Sequence, residues 1–143
     1  MIRNCFGEGP TPWMAGDDAG ELMVAALLHP DRFGEVPICY PPGAEALSQA
    51  QIAELLSDEL SRPIRHEAIP MEQWQRELEE LAERGSPALN PDMARHISAL
   101  GRALALRQGA LKPPMPGELE RQLGRAATSF RSFVRAHHEE WLA

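Results

Sequence analysis

Two cysteines in 143 residues, Cys5 and Cys39, are too few for a disulfide framework and do not form a CxxC pair for zinc. Free, reduced thiols are expected. Long apolar runs are missing as well: the longest, LMVAALL from residue 22 to 28, falls far short of the roughly 20 residues that cross a bilayer. The N-terminal stretch MIRNCFGEGP carries no apolar core of the kind a secretory leader needs, so a cytoplasmic protein is expected. Positive charge is scarce. Lys and Arg number 14 against 21 Asp and Glu, a formal net charge of −7. Nucleic-acid binding rests largely on basic side chains that neutralise phosphates, so this balance argues against it and against an anionic membrane surface. No internal repeat and no low-complexity segment is present.

What remains is ordinary globular composition, 43% apolar and 24% charged, at a length that suits one domain over 1–143 with a real core. The 13 prolines cluster between the periodic segments and punctuate them. Residues 1–16 read as loop and short strand around Trp13-Met14, 17–69 as a βαβ-like part, and 70–143 as a helical part. Asp18, with Glu21 three positions on, reads as the N-cap of a first helix carrying Leu22, Met23, Ala26 and Leu27. VPICY, 36–40, is a nearly continuous apolar run and predicts a strand buried on both faces. Ser48 and Gln51 form a second capping box ahead of Ile52, Leu55, Leu56 and Leu60. IRHEAI, 64–69, is a short strand. A third helix from Pro70 to Arg84 carries Met71, Trp74, Leu78 and Leu81 and stops at Gly85. Asn90-Pro91-Asp92 starts a fourth, striped by Met93, Ile97, Leu100 and Leu104 and stopped at Gly109. A short helix, 118–123, precedes a last one, capped by Thr128 or Ser129 and carrying Phe130, Phe133, Val134 and Trp141. The class is α/β and helix-rich, with five to six helices and two or three short strands. So small a parallel sheet is rarely stable alone, and VPICY has the character of a strand that expects neighbours.

In order, GEGPTPWMAGDDAGE, then ALLHPDRFGEVPICYPPGAEALSQAQIAELLSDELSRPIRHEAIPMEQW, then LGRAATSFRSFVRAHHEEW resemble the C-terminal, substrate-side half of NmrA-like proteins. These are atypical short-chain dehydrogenase/reductases that bind NAD(P). The family's Asp-Asp-Ile-Ala-like helix start corresponds to Asp17-Asp18-Ala19-Gly20, its Gly-Pro-Glu-like turn to PPGAEALS, its lgRpv step to LSRPI, and its closing segment to LGRAATSFRSFV. The resemblance covers essentially the whole chain and rests on order and spacing rather than on one motif. It implies the C-terminal part of a Rossmann protein, with a substrate pocket. The departures are informative too. No strand leads into a GxxGxxG-type loop, and no Tyr-x-x-x-Lys pair exists, since Tyr40 is the one tyrosine. The N-terminal NAD(P)-binding Rossmann half is therefore expected to be absent. No cofactor is expected unless that half is supplied.

Asp17 adjoins a loop that would face the substrate cleft in full-length relatives, which makes it a candidate general base; Asp18 has a cap as its simpler use. His96, on the border of the fourth helix's stripe, and His66, alternating with Ile64 and Ala68, could move protons in an apolar pocket. A core-edge histidine with a satisfied hydrogen bond is the commoner arrangement. Trp13, Met14, Met71, Trp74 and Met93 are candidate pocket walls, against the alternative of plain core packing. His137 and His138 project about 100° apart on a helix and cannot share a metal as HExxH histidines do. No metal is expected. The run ELEELAER is a solvated face.

Three functions follow. The first is binding of a small apolar or aromatic molecule, with a cofactor-independent isomerisation, cyclisation or dehydration as its accessible chemistry. The second is a non-enzymatic dimerisation or interaction module, and the third is the back half of an NAD(P)-dependent oxidoreductase. Whether the chain is catalytic stays open among them. The expected partners are a small-molecule ligand and either a second copy of the chain or a Rossmann-type subunit, with no nucleic acid and no membrane.

Overall fold

A computed structural model describes residues 1–34, 43–87, 89–107 and 117–142. Among them, strands β1 (Ile2–Asn4) and β4 (His66–Ala68) pair in parallel, with Ile2 opposite His66. Strands β2 (Thr11–Trp13) and β3 (Glu45–Leu47) pair antiparallel, with Thr11 opposite Leu47. Pairs this short bury little surface, so the helices carry the packing. They are α1 (Gly16–Leu28), α2 (Gln49–Glu59), α3 (Met71–Glu83), α4 (Pro91–Arg107), α5 (Glu118–Leu123), α6 (Phe130–Ala136) and α7 (His138–Leu142), with a 3-10 turn over Pro30–Phe33. The chain is thus helix-rich α/β. VPICY, with Cys39 and Tyr40, and the helix stop at Gly109 lie outside the described residues.

Helix ends follow local chemistry. Ser48 and Gln51 exchange two bonds, Gln51 N–H to Ser48 Oγ at 3.2 Å and Ser48 N–H to Gln51 Oε1 at 2.9 Å. Asn90 Oδ1 accepts from the Met93 N–H at 2.8 Å, and Ser129 Oγ from the Ser132 N–H at 3.1 Å. Gly85 follows α3 at φ 76°, a left-handed conformation that favours glycine. The start of α1 corrects the sequence reading. Ala15 occupies its N-cap without a side-chain bond, and Asp18 sits inside the first turn, fully buried. Its carboxylate turns away from its own helix toward Arg125 and Thr128, because those donors are brought up by packing.

Helix faces are also corrected. On α4 the buried positions are Ala94, Ser98 and Gly101, while Met93 and Leu100 are exposed. The reason is Trp74 on α3: a Cβ at residue 101 would lie 2.1 Å from its Cζ3. Small residues let the α4 backbone come up to the indole, and the larger ones rotate outward. On α3, Ala82 is buried and Leu81 exposed for the same rotation.

One apolar cluster joins Leu47, Ile52, Leu56, Leu60 and Val134, with Ile2, Trp13, Phe130 and Trp141 against it; it seats α6 on α2. A second joins Cys5, Ile69 and Trp74, where Phe6 meets Trp74 edge-on at 5.1 Å. Burial pushes the Cys5 thiol up, so it stays protonated and inert. A third, of Leu22, Leu119 and Leu123, holds α5 on α1, with Met14 and Phe33 beside it. Glu59 at the end of α2 accepts from Arg135 Nε at 2.6 Å and from Arg131, clasping α6.

Candidate functional site

A pocket of about 210 Å³ opens where β2 runs into α1 and faces β3 and the start of α6. Its lining is Trp13, Met14, Ala15, Gly16, Glu45, Thr128, Phe130 and Phe133. Trp13 is held from two sides: its Nε1–H donates to the Leu47 carbonyl at 3.2 Å, and its own carbonyl accepts from the Ala44 N–H at 2.8 Å. A polar atom so anchored orients the indole, and the ring remains as wall. Phe130 and Phe133, three apart on α6, face the same way by helical spacing.

Among the described lining residues Glu45 is the ionisable side chain, and its Oε1 accepts the N–H of Phe130, the first residue of α6. Thr128 supplies the hydroxyl, but both its donors are committed to Asp18: the N–H at 2.7 Å and Oγ1 at 2.9 Å. Arg125 adds a 2.7 Å bond to Asp18 and another 2.7 Å bond to Glu21. Burial raises the pKa of the Asp18 carboxyl, but the Thr128 N–H, Arg125 and the Thr128 hydroxyl outweigh it and hold the pKa below the usual value. Asp18 is therefore an anchor kept ionised, unsuited to taking a proton near neutrality. At the pocket edge, the first turn of α1 begins without a side-chain cap, and its N–H groups and positive helix end favour an oxygen acceptor.

The residues singled out by sequence divide. Trp13 and Met14 line the pocket together. Asp17 is exposed on α1 and not part of the lining; His96 is exposed on α4. His66 is half-buried, with Nε2 3.3 Å from Asn4 Oδ1, and Asn4 Nδ2 donates to Gln49 Oε1 at 2.7 Å. That network joins β4, β1 and α2 and is not in the lining. Met71 and Trp74 pack in the second apolar cluster, and Met93 is exposed on α4. Phe130 and Phe133 were legible as apolar helix positions and Thr128 only as a candidate cap, whereas nothing local marks Glu45. Among the described residues no three His, Cys, Asp or Glu side chains converge as a metal site, and no helix is long and apolar enough to cross a membrane.

No family model matches the chain. In sequence it is similar to the NAD(P)H azoreductase of Xenophilus azovorans, 31% identical in an alignment 138 residues long that covers 92% of this chain and 42% of that protein. In structure it is similar to the triphenylmethane reductase of Citrobacter sp. complexed with NADP(H), with a TM-score of 0.69 and 16% identity, over 94% of this chain and 43% of that one. A nucleoside-diphosphate-sugar epimerase of Staphylococcus aureus gives a TM-score of 0.60 and 15% identity, over 93% and 43%. The chain spans less than half the length of the relatives it matches. The likeness establishes the fold, helix-rich α/β, as one shared with part of these longer proteins.

Proposed function

We propose that the chain is the substrate-side part of an NmrA-like, NAD(P)-linked reductase, and that its pocket takes an apolar aromatic group. The observation that carries this reading is the lining: Trp13, Met14, Phe130 and Phe133 around one carboxylate, Glu45. Aromatic walls hold a ring by area burial and by edge and face contacts worth about 0.5–1.5 kcal/mol each beyond it. The Glu45 carboxylate favours a cationic or N–H-bearing edge on that ring. Proteins similar to the chain are named for azo compounds and for triphenylmethane dyes, which are aromatic chemistry of the same kind.

The described residues do not themselves fit a dinucleotide. Among the described residues three strands lead into helices, β2 through Met14-Ala15, β3 through Ser48 and β4 through Ile69-Pro70, and none does so through the glycine loop that cradles a pyrophosphate. No hydride step is therefore assigned to this chain, and NAD(P) enters only with a cofactor-binding half. Cofactor-independent proton chemistry has less support than binding. Asp17, His66 and His96 lie outside the lining, and Glu45 is already bonded to α6.

Calorimetric titration with a cationic triphenylmethane dye and with an uncharged aromatic compound of similar size tests the reading. Phe130→Ala should weaken both by about tenfold. Glu45→Gln keeps an oxygen for the Phe130 N–H and should weaken the cationic ligand alone. Unchanged affinity of both variants for the dye would remove the pocket from consideration.

The association reading has one specific observation behind it. Met23, Val24, Leu27 and Leu28 form an apolar face on α1 and are 69%, 54%, 83% and 68% exposed. Contiguous exposure of this kind is unusual on a monomer. If a second copy covers it, sedimentation should show a dimer that Leu27→Glu returns to monomer. A monomer for both proteins would dismiss self-association in favour of a Rossmann-type partner.

A further inference from the structure

We propose that a second site, in the groove between α3 and α4, binds the phosphoryl group of a small anion. The groove encloses about 230 Å³ and is lined by Gln75 from α3 and by Arg95, Ser98, Ala99 and Arg102 from α4. It shares no lining residue with the aromatic pocket. Arg95, Ser98 and Arg102 stand at i, i+3 and i+7, which places them along one helix face. The two arginines are separated by about 10.5 Å along the axis, with the serine near the midpoint. Side chains as long as arginine's reach across half that span and can converge above the hydroxyl.

Ser98 is the informative member. It is 8% exposed, and its Oγ has no hydrogen-bond partner. A serine inside a helix commonly turns its hydroxyl onto the carbonyl four residues back, and this one does not. A buried hydroxyl left without a partner is costly, and the commonest remedies are a water or a ligand. Around it, the donors are loosely held. Arg102 directs Nε at the Met71 thioether at 3.4 Å, a weak acceptor that leaves the outer nitrogens of the guanidinium for another group. Arg95 is paired with Asp92 on the open surface, where both side chains are well exposed and the pair is worth little. Gln75 gives one N–H to Glu79 at 2.8 Å and keeps a second.

Two guanidiniums, an amide N–H and a hydroxyl are donors matched to an oxyanion, and arginine binds phosphate in bidentate fashion. A phosphoryl group brings two negative charges and several acceptors against the single charges of Asp92 and Glu79. It therefore displaces Asp92 from Arg95 more readily than a monoanion can. In a chain whose net charge is −7, a groove built this way is set apart from its surroundings.

The test is titration calorimetry of the full chain with inorganic phosphate against chloride at matched ionic strength, with glucose 6-phosphate as a second arm. Saturable phosphate binding is expected. Arg102→Gln should weaken it about tenfold, and the Arg95→Gln/Arg102→Gln double variant should abolish it. The exposed Arg84→Gln serves as control and should bind as the native chain does. Ser98→Ala supplies an independent readout. Without phosphate it should unfold at a temperature no lower than the native chain, since an unsatisfied hydroxyl is gone, yet phosphate should raise its midpoint less. Tighter binding of the ester would mean the site serves a phosphorylated metabolite, and equal binding would mean free phosphate. Phosphate that binds no better than chloride, or equally well to the double variant, would overturn the proposal.

Discussion

Replacing Asp18 with alanine is expected to lower the unfolding free energy by about 3 kcal/mol. The carboxylate is fully buried and receives three bonds, two from Thr128 and one from Arg125. Alanine would leave the Thr128 N–H and hydroxyl without acceptors beside the pocket. Arg125 limits the loss, because its side chain is 38% exposed and keeps Glu21 and the Ala126 carbonyl. The damage should spread to ligand binding, since Asp18 is what ties the 125–128 segment, and with it the start of α6, to α1. Denaturant melts with a parallel dye titration check both effects.

The acid side of the stability curve isolates the same group. The Asp18 carboxyl has a lower pKa folded than unfolded. Such a group contributes stability above the ordinary carboxylate range and loses it as pH falls through the folded value. Below about pH 4 the native chain should therefore lose stability more steeply than Asp18→Ala does. Glu21, Glu59 and Glu118 are lowered by their arginine partners as well, so both chains weaken in acid. The difference between the two curves belongs to Asp18. Parallel curves from neutrality to about pH 3 would contradict the assigned bonding.

Gly43→Ala should cost about 2–3 kcal/mol by a different mechanism. A Cβ at this position would lie 2.7 Å from the Trp13 nitrogen, 2.8 Å from its oxygen and 2.9 Å from the Pro12 carbonyl carbon. All three are backbone atoms of β2, so no side-chain rotation relieves the overlap. The strand has to move, and it is bonded to the very next residue through the Ala44 N–H. Because Trp13 moves with β2, aromatic ligands should weaken in step with stability. Gly20→Ala provides the contrast: nothing lies within 4 Å of its Cβ position inside α1. There alanine should add about 0.5–1 kcal/mol. If both substitutions prove neutral in thermal melts, the close approach of residue 43 to β2 is not real.

These two positions show where sequence reasoning reaches and where it stops. Ser48 with Gln51, Asn90 before Met93, Ser129 before Ser132 and Gly85 after α3 all act within one turn of themselves. Their partners are adjacent in the chain, so element starts and stops are readable before any fold exists. Asp18 satisfies the same local pattern as a cap, yet its donors arrive from 107 and 110 residues away and win it. Gly43 carries no mark of the strand that crowds it.

The sequence by itself determined the order of the longer helices and the helix-rich α/β class, because each depends on neighbours in the chain, whereas strands β1 and β3 carried no local mark. Trp13 and Met14 as pocket wall were within its reach for the same reason: they sit at one junction of strand and helix. Which face of α4 is buried was decided by the Trp74 indole over Gly101, a contact between two helices. The parallel pairing of β1 with β4, and the meeting of residues 13–16, 45 and 128–133 around one cavity, were decided only by chain closure. Burial selects among amphipathic faces and distant donors by what packs against them, and periodicity along one segment contains no information about the partner.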